Sequence, residues 1–373
     1  SNMDKLKEFW REAKADYESK YNTPFLTDYD KSLPYFEKMQ ELLLDLQKED
    51  KNNVDVACLL ASVRMELRES YDTCGELLLD FLDKNENCLS DSDKARTYTN
   101  IGYYIDFESS APKHLLKAKE LDSQYYETYE GLGLYYFSEY ERDNDVKNLE
   151  KAIKYFEKAR ELSNNYVNHF NYAAGLYENK EYQRAKAIFE DLLIDYPGRM
   201  RLILALAYCE LFLGNKAKAK FYLSQVKDGQ DENYSLSTDD IADYQVYDSY
   251  YVLDEYDTFL ENCKAVICDY YTDDWEHYYY TLWIKNLKDD FYNLVNSTIS
   301  RLEEDIKEAE IDEDYDSPDE KEEYIKSYKE DLVKYRAMIK DIEDGCKKPE
   351  ITLNLYPEYE CFLIDCLRHK FTN

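Results

Sequence analysis

Asp312, Asp314, Asp316 and Glu323 stand at positions 1, 3, 5 and 12 of a calcium-binding loop, a spacing that turns four carboxylates toward one hard cation. Ser317, however, takes the place of the glycine that such a loop needs for its sharp turn, and Asp319 stands where an apolar residue would pair with a second loop. Residues 303–323 hold 13 acids against Lys307 and Lys321, so a solvated acidic hairpin tip is favoured over a calcium site. The nine cysteines, Cys58, Cys74, Cys88, Cys209, Cys263, Cys268, Cys346, Cys361 and Cys366, include no CxxC pair and read as reduced, buried thiols. On a helix, Cys263 and Cys268, like Cys361 and Cys366, would lie about 140° apart and could not grip a metal together. Cys366 and His369 could share a helical face, but two ligands do not make a zinc site.

Catalytic patterns are equally sparse. No histidine opens an HExxH motif, and the GxG of Gly131 and Gly133 is spoiled by Tyr136 where a phosphate-cradling loop needs its third glycine. The chain is expected to be non-enzymatic and to need no cofactor and no metal. An all-helical carbohydrate-active enzyme stays as an alternative, because a carboxylate pair for glycoside hydrolysis is defined by separation in space.

Composition narrows the partners. The 80 Asp and Glu against 47 Lys and Arg leave a net charge of −33, which repels phosphate backbones and anionic headgroups. Nucleic acid and membrane are therefore not expected. Only 9 Gly and 7 Pro in 373 residues disfavour β-rich and phosphate-loop folds, while 44% apolar content and 40 tyrosines are enough to build a core. The longest apolar run, residues 202–214, is too short to span a bilayer and contains Glu210. The segment after Met3 is charged and amphipathic, unlike a signal peptide, so a cytoplasmic location is expected.

The chain repeats. Ala152, Phe156 and Ala159 recur 33 residues on as Ala185, Phe189 and Leu192, and 34 further as Ala219, Leu223 and Val226. Ahead of each triplet lies another one-faced stripe: Tyr129, Leu132, Gly133 and Tyr136; His169, Tyr172, Ala173 and Leu176; Ile203, Leu206 and Ala207. Residues 166–199 add Tyr182 and Pro197 at the positions where a tetratricopeptide repeat (TPR) opens and stops its second helix, and the stretch resembles that family. Weaker copies begin at Tyr98, Ile101, Gly102 and Ile105 and at Cys58, Ala61, Ser62 and Met65, so the resemblance covers residues 55–226. Seven extra positions between Leu132 and Ala152 predict an extended loop over 138–148.

The resemblance implies an all-α fold, a right-handed α-α superhelix of paired A and B helices. Residues 4–50 would form capping helices and residues 239–373 a helical C-terminal extension. Within that extension, 289–344 reads as an acidic helical hairpin in which Ser317, Pro318 and Glu320 give an N-cap, an N1 proline and a capping acid. A last short helix is expected near 358–369.

In such a superhelix, A-helix residues beside the core stripe line a concave groove. Here they would be Tyr103, Phe107, Leu134, Phe137, Phe170, Tyr177, Tyr208 and Phe212, with Arg96, Asn100, Asn171 and Arg201 as the polar groups. The lysines of carboxylate-clamping relatives are not reproduced. Either this aromatic groove receives a partner, or the C-terminal helices fold back and fill it. The function implied is a protein–protein interaction scaffold for a partner of basic character, drawn by the acidic surface. An immunity or inhibitor protein that neutralises a basic toxin or nucleic-acid-acting enzyme is an alternative. Replacing Ala185 by Arg is expected to cost several kcal/mol by overpacking a close helix contact and burying a charge; a thermal melt unchanged from the parent would contradict this repeat register.

Overall fold

The computed structural model describes residues 1–227, 236, 238–267 and 272–372; Cys268 lies outside them. Two compact units divide the chain. The first holds Ser1–Cys209, Gly229–Asp239 and Leu355–Asn373, and the second Glu210–Asp228 and Asp240–Asn354.

Among the described residues of the first unit the regular structure is helical. α1 (Asn2–Tyr21) and α2 (Tyr29–Glu49) pair and cover the start of the repeats. Four hairpins follow: α3 (Val54–Glu66) with α4 (Tyr71–Asn85), α5 (Asp91–Ile105) with α6 (Lys113–Glu120), α7 (Tyr126–Asp143) with α8 (Val146–Leu162), and α9 (Tyr166–Glu178) with α10 (Tyr182–Asp195). Each helix packs on the next, as in a helical-repeat solenoid, and α5 also touches both α3 and α7, so these three A helices share one wall. α11 (Met200–Phe212) carries the chain to the unit boundary at Glu210. Helix starts are set locally: Asn53, Ser70, Ser90 and Asn165 each accept the backbone N–H three residues ahead, capping donors that the helix itself leaves unmet.

The B-helix stripes sit where the repeat register puts them, since Ala152, Phe156, Ala159, Ala185, Phe189 and Leu192 are buried. The loop expected over 138–148 is instead helix. α7 and α8 absorb the extra residues as added turns, and Asn144, at φ 55°, closes α7 before a two-residue link. The C-terminal helix expected near 358–369 is also absent: residues 346–363 carry no helix, and 364–372 form only turns.

The second unit contains α12 (Lys216–Gln225), α13 (Asp243–Val252), α14 (Tyr256–Lys264), α15 (Glu276–Ile284), α16 (Lys288–Ile311) and α17 (Pro318–Glu343). Its core joins Tyr251, Phe259, Tyr279, Phe291 and Tyr335. α16 and α17 form an antiparallel hairpin, with Glu303 paired to Arg336 and Glu310 to Lys329. Ser317 accepts from the Glu320 N–H at the start of α17.

One turn recurs through both units. Arg68, Lys180, Gly214, Asp254 and Asn286 all have φ between 58° and 83°. In each case the next residue's N–H reaches back five positions to a carbonyl: Glu69 to Arg64, Glu181 to Leu176, Asn215 to Glu210, Glu255 to Tyr250 and Leu287 to Leu282. This is the Schellman closure of a helix end. It links α13 to α14 and α15 to α16 just as it links α9 to α10, so hairpins of the repeat type continue where the sequence period has faded.

Close approach is set by glycine at one point of the repeat wall. A Cβ on Gly133 would stand 2.5 Å from the Phe156 ring, whereas one on Gly198 would meet nothing within 4 Å. Gly133→Ala is expected to lower stability by about 1–3 kcal/mol through overpacking, while Gly198→Ala leaves it unchanged or slightly higher. Thermal melting followed by circular dichroism distinguishes the two, and equal shifts would contradict the packing described.

Candidate functional site

The face of the A helices is occupied by the chain's own C-terminal segment. Residues 358–371 run across it in the direction opposite to the repeats, from α9 toward α1. Asn171 of α9 holds the Glu358 backbone at both ends: its amide donates to the Glu358 carbonyl at 2.9 Å and its oxygen accepts from the Glu358 N–H at 2.7 Å. Asn100 of α5 repeats the clamp, accepting from the Ile364 N–H at 2.8 Å and donating to the Asp365 carboxylate at 2.7 Å. Ser62 of α3 accepts from the Leu367 N–H at 2.9 Å. A segment without helix or sheet thereby has its buried backbone groups met by side chains.

Between the clamps Phe362 is driven into the wall. It is buried, its ring centroid lies 5.1 Å from Tyr103 and 5.7 Å from Phe107, and a Cβ at Gly131 would be 2.7 Å from it. Asn100, Gly131 and Asn171 each lie two residues before the small residue of their stripe, Gly102, Gly133 and Ala173. Three successive A helices thus present one register position to the segment.

Carboxylates on the segment meet arginines. Glu358 accepts from Arg199 at 2.8 Å and from the Tyr166 hydroxyl at 2.8 Å; Asp239 stands 3.6 Å from the same guanidinium, and all three charged side chains are buried. Arg96 takes Asp365 in a two-pronged pair and also holds Asp55 at 2.7 Å. Beyond them Arg368 pairs with Glu66 and donates to the Leu26 carbonyl, and Lys370 reaches Glu127 at 3.1 Å.

The twelve residues expected in the groove therefore divide. Tyr103, Phe107, Arg96, Asn100 and Asn171 touch the segment, and Leu134 is half-buried against the cluster that contains Phe362. Phe137 and Phe170 face Phe156 and Phe189 of the B helices, and Tyr177 pairs with the buried Tyr208. Arg201 donates to the Thr238 carbonyl at 2.7 Å, and Phe212, partly exposed, lies past the unit boundary. Sequence reasoning missed Arg199, Tyr166, Ser62 and Glu127.

One expectation about metals changes. Asp312, Asp314, Asp316 and Glu323 do not converge: Asp312 caps α16, the Asp316 N–H donates to Glu320, and Glu323 lies within α17. Among the described residues, the one group of three or more ligating side chains with atoms mutually within 4.8 Å is Cys361, Cys366 and His369. Their separation round a helix does not apply, because the segment is not helical.

In the second unit, Asp273, Asp274, Asp305, Glu308, Asp312 and Asp331 line a cleft of about 1010 Å³. Arg301 lies within it, bonded to Asp273 at 2.7 Å and beside Asp305 at 3.8 Å.

No protein-family model matches the sequence, and no curated protein is significantly similar to it. Solved structures similar to the chain include YrrB, described as a TPR protein with an unusual peptide-binding site, at 15% identity, covering 52% of this chain and 95% of that one with a TM-score of 0.42. PilF of Pseudomonas aeruginosa gives 22% identity over 60% and 92%, with a TM-score of 0.40. Yeast Tom70 gives 15% over 85% and 64%, with a TM-score of 0.38. The paired helices described above, rather than these distant likenesses, define a TPR-like solenoid. No helix among the described residues is long and apolar enough to cross a membrane.

Buried acids cluster along the covered face. Desolvation raises Glu130, Glu360 and Glu358, the last in spite of Arg199, and it lifts Glu178, with help from Glu141, from 4.5 to about 8. These carboxyls hold protons more tightly folded than unfolded, so stability falls as pH rises between the two values. The melting temperature is expected to fall from pH 5.5 to pH 8, and Glu178→Gln should flatten that slope. A parent slope of opposite sign, or one unchanged in the variant, would contradict the assignment.

Proposed function

We propose that this chain is a non-enzymatic protein-interaction scaffold whose A-helix face recognises an extended, acidic and aromatic peptide, and that residues 358–370 hold that face as an internal ligand. The observation that carries the reading is the repeated register position, Asn100, Gly131 and Asn171, turned toward one extended segment. The Asn171 clamp meets backbone alone and is indifferent to side chains, whereas Asn100 also donates to the Asp365 carboxylate. Selectivity comes from Arg96 and Arg199, which favour carboxylates, and from Tyr103 and Phe107, which favour an aromatic anchor.

On this reading the basic character expected of the partner belongs to its contact with the acidic exterior, not with the groove. A net charge of −33 steers a basic body toward the scaffold, while an acidic segment of that partner competes for the clamps. Competition with a tethered ligand lowers the apparent affinity by the fraction of chains whose face is free.

The test uses a fluorescent peptide of residues 355–372 and the full chain, as parent and as the double variant Phe362→Ala, Leu363→Ala. The weakened chain is expected to bind the peptide at least about tenfold more tightly than the parent. A folded double variant that fails to bind would make the segment a permanent part of the core and overturn the proposal.

A further inference from the structure

The turn at the end of the C-terminal segment gathers three side chains able to ligate a metal. Cys361, Cys366 and His369, in a C-x4-C-x2-H spacing, have their ligand atoms within 4.8 Å of one another. Cys366 Sγ lies 3.4 Å from His369 Nδ1. In a tetrahedral site with metal–sulfur and metal–nitrogen bonds of about 2.3 and 2.0 Å, those two atoms would be about 3.5 Å apart and two sulfurs about 3.8 Å apart. The turn is closed by the Lys370 N–H donating to the Cys366 carbonyl at 2.9 Å, so the backbone already brings the donors to one side.

We propose that Cys361, Cys366 and His369 form a binding site for a single zinc-class cation. Two thiolates and an imidazole are the donor set that soft and borderline metals prefer over calcium or magnesium. Two thiolates also neutralise a divalent ion, which suits a site whose Cys366 is buried. His369 is exposed, which leaves a path for the ion and a fourth position for water or an added ligand.

The ion would staple residues 361–369 into the turn that sets Phe362, Ile364 and Leu367 against the A helices. The site rests on the conformation of the segment alone and stands whether or not a partner ever displaces it.

The test is a titration of the reduced, metal-free full chain with cobalt(II), followed by zinc. One equivalent of cobalt is expected to produce thiolate-to-metal charge-transfer absorption and the visible bands of a four-coordinate ion, both lost on adding one equivalent of zinc. Cys361→Ser and His369→Gln should each weaken zinc binding at least about tenfold, whereas Cys88→Ser, at an exposed thiol elsewhere, should leave it unchanged. His369→Gln alters an exposed side chain, so circular dichroism should match the parent and keep the result interpretable if Cys361→Ser fails to fold. Absence of the charge-transfer band with all thiols titratable would overturn the proposal. So would a zinc affinity in His369→Gln equal to the parent's, or a Cys361–Cys366 disulfide that persists in reductant.

Discussion

The A helices bury both of their faces, and the rest of the first unit follows from that constraint. In α3 every residue from Val56 to Val63 is buried, and in α9 every residue from Tyr166 to Tyr177 except His169. B helices such as α8 and α10 bury only a single stripe. A helix that is apolar all round cannot stand with one side in water. One face is covered by B helices; the other needs Phe362, Leu363, Cys366 and Leu367, which join the same hydrophobic clusters as Leu59, Cys58 and Leu115. At about 25 cal/mol per Å² of apolar surface, each large side chain so covered contributes on the order of 1.5–3 kcal/mol before chain entropy is subtracted.

Polar contacts then choose which residues of the segment lie where. The Glu358 pair with Arg199 is fully buried, and desolvation offsets most of what the charges gain. Its effect is on register. Glu358 and Asp365 face Arg199 and Arg96 at opposite ends of the clamped stretch, so sliding the segment by one residue would break both pairs at once and leave the two segment carboxylates without their arginines. The Asn171 clamp tolerates any side chain; Asn100, which donates to the Asp365 carboxylate, and the arginines do not. Burial of the acids on this face also raises their carboxyls above the ordinary range, Glu130 chiefly by desolvation and then by its neighbour Glu360.

Much of this was legible, because helix periodicity and small-residue positions are local properties. The stripes through Ala152, Ala185 and Gly133 and the Ser317–Pro318 start of α17 can be read directly. A groove filled by the C-terminal residues was one of two readings that the residues left open, although as helices rather than as an extended segment. The Schellman turns at Arg68, Lys180 and Asp254 could not be read, since residues with side chains occupy the left-handed conformation usually signalled by glycine, as at Gly214. The expected helix near 358–369 failed for a related reason. Its apolar spacing fits a helix, but the partners that satisfy its backbone lie some 190 to 300 residues away in the sequence, at Asn171, Asn100 and Ser62. Once the segment is not helical, helical-wheel reasoning about Cys361 and Cys366 loses its basis as well.

A ligand held in cis changes what a partner must offer. Tethering gives the segment an effective concentration in the millimolar range for a short, flexible connection, so a free peptide with the same contacts is outcompeted at ordinary cellular levels. A partner gains entry only through a second contact that raises its own effective concentration. On the proposed reading the acidic exterior would supply one for a basic protein, because long-range attraction acts before the segment has to move. Charge and groove would then be successive steps of one recognition event: the surface would select by sign, and the clamps by backbone and by the spacing of two carboxylates about an aromatic anchor.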